Sequence, residues 1–179
     1  MRIIGVDPGT LFTAYAILDC SFKQMSIVHF ELIKNSSTTV LPQRLKFIYE
    51  SILKAIDKFK PDEFAIETAF YSKNIQSTLK LGHARGAAIL AAANKNLPIS
   101  EYSPREIKKS VSGNGSASKE QVKFMVGTLL KIKNLPKKLD ISDSIAIAIC
   151  HWNRNSRITN KSKSWLDFIK NNPQRVKVH

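Results

Sequence analysis

MRIIGVDPGTLFTAYAILD (1–19) sets the architecture. Its first seven residues form a compact apolar strand that ends on Asp7, and Pro8-Gly9 turns the chain immediately afterwards. TAYAILD (13–19) resumes a strand pattern, and QMSIVHFELI (24–33) supplies a third. Connections this short favour antiparallel hairpins.

Beyond them the period changes. Leu41, Leu45, Ile48, Ile52, Ile56 and Phe59 recur at helical spacing, with Pro42 suited to a first turn and Pro61 ending the element. EFAIE (63–67) follows as a short strand, expected to run parallel to the first because a helix separates them. A helical pattern rich in Ala and Leu runs from Asn74 to Asn94, and LPISEY (97–102) makes a fifth strand. Ser103-Pro104 is a cap followed by a proline at the first helical position. SGNGSA (112–117) reads as a loop, residues 118–131 as a helix and residues 140–152 as a last apolar helix. Three antiparallel strands followed by two helix-separated parallel ones predict an α/β domain with a mixed five-stranded sheet flanked by helices. That pattern fits a ribonuclease-H-like fold. No G-x-G-x-x-G or G-x-x-x-x-G-K-[S/T] follows a strand, which argues against a doubly wound nucleotide-binding fold. One domain is expected over residues 1–154, then a basic tail over 155–179 in which Trp165, Leu166, Phe168 and Ile169 can form a single amphipathic turn.

The formal net charge is +14, and it is unevenly spread. The first hundred residues carry 12 Lys/Arg against 8 Asp/Glu, the remainder 16 against 6. A basic second half points to nucleic acid, with an anionic membrane or an acidic protein as weaker options and a generally lysine-rich composition as the bland one. Cys20 and Cys150 lie in no C-x-x-C or Cys/His cluster and read as small buried residues of a reducing compartment. The opening meets an acid too early for a signal peptide, and GAAILAAA (86–93) is too short to span a bilayer. The expected location is the cytoplasm.

Against that charge, four carboxylates stand in apolar strand or helix contexts: Asp7, Glu67, Asp140 and Asp143. Taken alone, an Asp before Pro-Gly is more often a turn initiator, and a Glu at a strand end is usually just solvated. If the first and fourth strands are parallel neighbours, however, Asp7 and Glu67 come side by side at the sheet end where open α/β sheets bind ligands. Asp140 and Asp143, in D-I-S-D, have the simpler role of capping a helix and offsetting its dipole. Their i,i+3 spacing nevertheless puts both on one face of a helix too apolar to face water. Clustered acids repel and desolvate poorly unless a cation joins them. A pair of Mg²⁺ ions about 3.5–4 Å apart, with Mn²⁺ as substitute, would satisfy an all-oxygen donor set.

Five ordered segments add to this reading: IIGVDPGT-x-x-T (3–13), FAIE-x-x-F-x-x-KN (64–74), LKLGHARG (79–86), V-x-G-x-GSA-x-K-x-QV (111–122) and D-x-x-DSIAIAICH (140–151). Together they resemble the RuvC family of Holliday-junction resolvases over roughly residues 1–152. The resemblance implies a metal-dependent endonuclease, a homodimer, that nicks two opposing strands of four-way junction DNA in recombination and repair. It places the catalytic, metal-holding carboxylates at Asp7, Glu67, Asp140 and Asp143, with two ions per subunit. It also implies a branch-migration motor complex of RuvA and RuvB type as partner.

Other residues acquire roles from the same resemblance. Lys119 and Lys108 match basic positions near the scissile phosphate, Lys119 opening a helix whose N-terminus favours anions. Both are otherwise solvated surface charges. Phe70 would wedge or stack against an unstacked base, with Tyr71 able to share that task, though alone Phe70 reads as a hydrophobic loop plug. Lys73, Arg85, Lys109 and Lys123 are weaker choices for DNA backbone contacts. Gly82 and Gly86, beside Ala87 and Ala91, form a stripe that packs either on its own sheet or across a two-fold axis. His83 reads as structural, and His151 as helix-end packing without zinc-spaced partners. Two departures stand out: T-A-Y-A (13–16) where the family usually has glycines flanking the aromatic, and the longer basic tail. Rival functions are a ribonuclease-H-like nuclease acting on RNA–DNA hybrids and a non-catalytic junction-binding protein. An actin-like ATPase ranks last, because D-P-G-T alone suggests it and 179 residues are too few for its two domains.

Overall fold

Three antiparallel and two parallel strands assemble the predicted sheet. The computed structural model describes residues 1–22, 24–68, 75–132, 135, 136 and 138–161, the last six by backbone alone. In chain order the elements are β1 (Arg2–Asp7), β2 (Phe12–Cys20), β3 (Met25–Lys34), α1 (Leu41–Phe59), β4 (Glu63–Glu67), α2 (Ile75–Ala93), β5 (Ile99–Tyr102), α3 (Pro104–Ser112), α4 (Lys119–Leu130) and α5 (Leu139–Lys161). The sheet order is β3-β2-β1-β4-β5. β1 pairs antiparallel with β2 and parallel with β4, and β4 pairs parallel with β5. This is the mixed ribonuclease-H-like sheet.

Alternation along β1 divides the core. Ile4 and Val6 face α1 and α2, joining Ile17, Ile48, Ile52, Phe64 and Ile66. Ile3 faces the other way, towards α3, α4 and α5, with Leu18, Val122, Val126 and Ile145. α5 is apolar all round over Ile145–Cys150, and every one of those residues is buried. The helix continues past Trp152 to Lys161, well beyond the apolar stretch that announced it.

Two capping boxes fix the starts of α3 and α4. Ser103 accepts from the Glu106 amide while Glu106 accepts from the Ser103 amide, with Pro104 in the first turn as expected. Ser118 and Gln121 repeat the arrangement for α4.

The layers approach closely at Gly5. A Cβ there would lie 2.3 Å from the Ser144 carbonyl oxygen and 2.8 Å from the Ala148 amide nitrogen, both backbone atoms of α5. The facing residues of β2, Ala14 and Ala16, are fully buried in the same layer, so T-A-Y-A presents only two methyls there. Gly5→Ala is therefore expected to push α5 off β1 and to lower the unfolding free energy by about 3 kcal/mol in urea denaturation. An unchanged midpoint would show that α5 is free to shift.

Candidate active site

Asp7 and Glu67 leave neighbouring strands at the same end of the sheet. Val6 is paired with Ile66 in the parallel β1–β4 ladder, so the next residue of each strand is the carboxylate. The turn behind Asp7 is tightly closed: Thr13 Oγ1 donates to the Gly9 carbonyl at 2.7 Å and accepts from the Gly9 amide at 3.3 Å. A Cβ on Gly9 would meet the Phe12 carbonyl oxygen at 2.3 Å, so only glycine closes this turn. Asp140 and Asp143 come from the first turns of α5. Lys119, the first residue of α4, donates its Nζ to Asp143 Oδ2 at 2.8 Å.

The charges act on one another. Burial pushes the Asp7 carboxyl well above the ordinary carboxylate range, and Glu67, Asp143 and Asp140 push it further against the pull of Lys119. Glu67 is also raised, first by burial and then by Asp143, while Lys119, a hydrogen bond with Asp7 and Lys108 oppose the shift. Desolvation lowers the Lys119 ammonium, but Asp143, Asp7 and Asp140 outweigh it and its pKa is raised. All four sequence-selected acids thus belong to a single electrostatic cluster.

A cavity of about 160 Å³ opens beside it. Glu67, Asp143, Lys108 and Lys119 supply its charged groups, and Pro104, Ile107, Val122 and Ile147 its apolar lining. Among the described residues, no three His, Cys, Asp or Glu side chains are already gathered as a ready-made ion cage. Asp143 is turned to Lys119 instead. The donor chemistry still fits a hard divalent cation. Every acid offers oxygen alone, and Asp7 and Glu67 are held together at an electrostatic cost that a cation would relieve.

A family model described as crossover junction endodeoxyribonuclease RuvC matches residues 3–151. The chain belongs to the RuvC family. The RuvC of Salinibacter ruber is 44% identical over 177 residues, which cover 98% of this chain and 99% of that one. The RuvC of Dehalococcoides mccartyi strain BAV1 is 44% identical over 151 residues, covering 84% of this chain and 90% of its own. Among solved structures, Thermus thermophilus RuvC in complex with a Holliday junction substrate superposes with a TM-score of 0.83 at 28% identity, covering 89% of this chain and 97% of that one. The yeast mitochondrial Holliday junction resolvase shares the fold, with a TM-score of 0.67 at 15% identity, over 93% of this chain and 86% of that one.

The other sequence-selected residues fall in four groups. Lys108 lines the cavity. Lys109 is exposed on α3, and Lys123 is half-buried on α4. Arg85 on α2 is ion-paired with Glu101 of β5. Phe70, Tyr71 and Lys73 lie outside the described residues.

One group was not foreseen. His151 is fully buried inside α5 rather than packed at a helix end. Its Nδ1 meets the Tyr102 hydroxyl at 2.8 Å and its Nε2 meets Glu63 Oε2 at 2.5 Å, joining α5 to β5 and to the start of β4. Burial lowers the His151 pKa in spite of Glu63. The signal available in the sequence was its position two turns beyond Asp143, on the same helical face.

Asp7 carries a pH signature. Its folded pKa is raised, so the stability it contributes is complete below its unfolded value of 3.8 and is lost as pH rises through the folded value. Asp7→Asn should remove that loss. In EDTA, melts between about pH 4 and about pH 8 should show the variant gaining on the parent as pH rises. At neutral pH the gain should be about 1–2 kcal/mol, or about 3–6 °C in Tm. A variant that melts lower at every pH would make Asp7 a structural acid.

Proposed function

We propose that this chain is a Holliday-junction resolvase, a homodimer that hydrolyses one phosphodiester on each of two opposing strands of a four-way DNA junction. The observation that carries this is the acid cluster of Asp7, Glu67, Asp140 and Asp143 beside Lys119, at the sheet end of a strongly basic chain. The Thermus thermophilus relative in complex with a Holliday junction substrate supports it independently.

In this reading Asp7, Glu67, Asp140 and Asp143 hold divalent ions, two Mg²⁺ per subunit with Mn²⁺ able to replace them. Ions held there would supply activation of water for attack and neutralisation of charge at the leaving 3′ oxygen. The residues of the chain do the rest. Lys119 and Lys108, on opposite helices around the cavity, bind the scissile phosphate. The capped N-terminus of α4 adds its dipole to the ammonium of Lys119. Ile107, Val122 and Ile147 keep the floor of the pocket dry, which strengthens those charges. Phe70 and Tyr71, two and three residues beyond the end of the Glu67–Thr68 segment, serve base unstacking. Lys73, Arg85, Lys109 and Lys123 serve contacts to the DNA backbone.

A face of α2 supports the dimer. Ile75, Leu79 and Leu90 are 75%, 58% and 54% exposed, and a Cβ on Gly82 or Gly86 would meet nothing within 4 Å. These residues recur at spacings of three and four, as one stripe of the helix does. Two copies joined there place two cavities in a two-fold relation that suits a two-fold junction. Junction DNA would be handed over by a branch-migration motor of RuvA and RuvB type.

Incubating the protein with a mobile four-way junction and Mg²⁺, and mapping nicks on each strand, tests this. Paired nicks on two opposing strands, with ligatable ends, are expected. Asp7→Asn should lower the nicking rate about 10³-fold or more while leaving junction affinity within about threefold. Preferential cleavage of an RNA–DNA hybrid, or binding with no nicking in any divalent ion, overturns the assignment.

A further inference from the structure

We propose that Lys119 occupies the acid cluster when no divalent ion is bound, and that an arriving ion must displace it, so that ion binding and release of this lysine are one event. The inference rests on the reading of Asp7, Glu67 and Asp143 as the ion-holding acids.

The geometry is asymmetric in a telling way. The Asp143 side chain is only 19% exposed, whereas that of Lys119 is 54% exposed and ends 2.8 Å away. Ordinary surface pairs of this length contribute about 0–1 kcal/mol. This one faces a half-buried carboxylate that shares its cluster with the desolvated acids Asp7 and Glu67, and desolvated acids gain more from a counter-charge than exposed ones do. The ammonium also acts attractively on Asp7, Glu67 and Asp140, so it partly neutralises the whole cluster. Lys108, the other cation lining the cavity, acts on Glu67.

An ammonium and a divalent ion cannot share this place. Lys119 holds Asp143 Oδ2, and an ion ligated by the same carboxylate would lie a few ångströms from the ammonium, where a +1 and a +2 charge repel. Lys119 is free to leave without disturbing the fold, because the capping box of Ser118 and Gln121 holds its backbone whichever way the side chain points. Once released, the ammonium is beside the cavity mouth, where a phosphate oxygen is its natural partner. Reciprocity then follows: a phosphate that draws Lys119 away vacates Asp143 for the ion, and an ion at Asp143 frees Lys119 for phosphate. Ion and DNA favour one another through a single side chain.

Titration of the full-length protein with Mn²⁺ alone, following free ion by electron paramagnetic resonance, tests this without reference to activity. Lys119→Met and Lys119→Gln should each bind Mn²⁺ about tenfold more tightly than the parent, because the competitor and its repulsion are gone. Lys119→Arg keeps the charge and should stay within about threefold of the parent. With a four-way junction, the gain in DNA affinity from replacing EDTA by Ca²⁺ should be smaller in Lys119→Met than in the parent. Equal or weaker Mn²⁺ binding in both neutral variants, with Asp7→Asn still abolishing it, overturns the displacement while leaving the ion site standing. Mn²⁺ binding that Asp7→Asn leaves untouched overturns the site itself, and the inference with it.

Discussion

How near α5 can lie to β1 governs the working end of this molecule. At Gly5 the helix backbone comes so close that a single methyl group would collide with the Ser144 carbonyl. That approach is possible because β1 offers no side chain there and β2 offers only Ala14 and Ala16. It brings Asp143 and Asp140 within electrostatic reach of Asp7 and Glu67, which the sheet had already paired. Separated by one more layer of side chains, the acids of α5 would no longer add to the burial that raises Asp7 and Glu67. Packing, not any local feature of the acids, creates their chemistry.

Nearness alone does not set the register of the helix along the strand, and here His151 matters. It is bonded to Glu63 at the start of β4, while Asp143 acts on Glu67 at its end. Eight helical residues rise about 12 Å and four strand residues about 13 Å, so the two spans agree. Fixing one end therefore brings the other into place. Tyr102, bonded to the second nitrogen of the same ring, extends the tie to β5. The buried imidazole and the acids at the sheet end are thus two ends of one measured interval.

Much of this was legible in the sequence because the relevant signals are local. Pro8-Gly9 marked the first turn, the helix between β3 and β4 implied parallel pairing, and parallel pairing put Asp7 beside Glu67. The i,i+3 spacing of Asp140 and Asp143 on an apolar helix likewise announced their direction. What stayed hidden depends on distant partners. Nothing near His151 in the chain reveals Glu63, 88 residues away, so an unpartnered imidazole looked like mere packing. Arg85 appeared as one more basic residue until the fold set it against Glu101. The length of α5 was underestimated because the continuous apolar run that marks it in the sequence ends at Cys150, and periodicity speaks only where a core is being covered. Lys119 was chosen through family resemblance; its bond to Asp143 is a property of the tertiary structure.

The double-sided cap at the start of α4 has a kinetic meaning. Gln121 and Ser118 lock the backbone from which Lys119 projects, so the only movable part is four methylenes on a fixed post. Turning such a side chain takes picoseconds to nanoseconds, whereas reshaping a loop takes up to microseconds. The pocket can therefore release Lys119 without waiting for the polypeptide to rearrange.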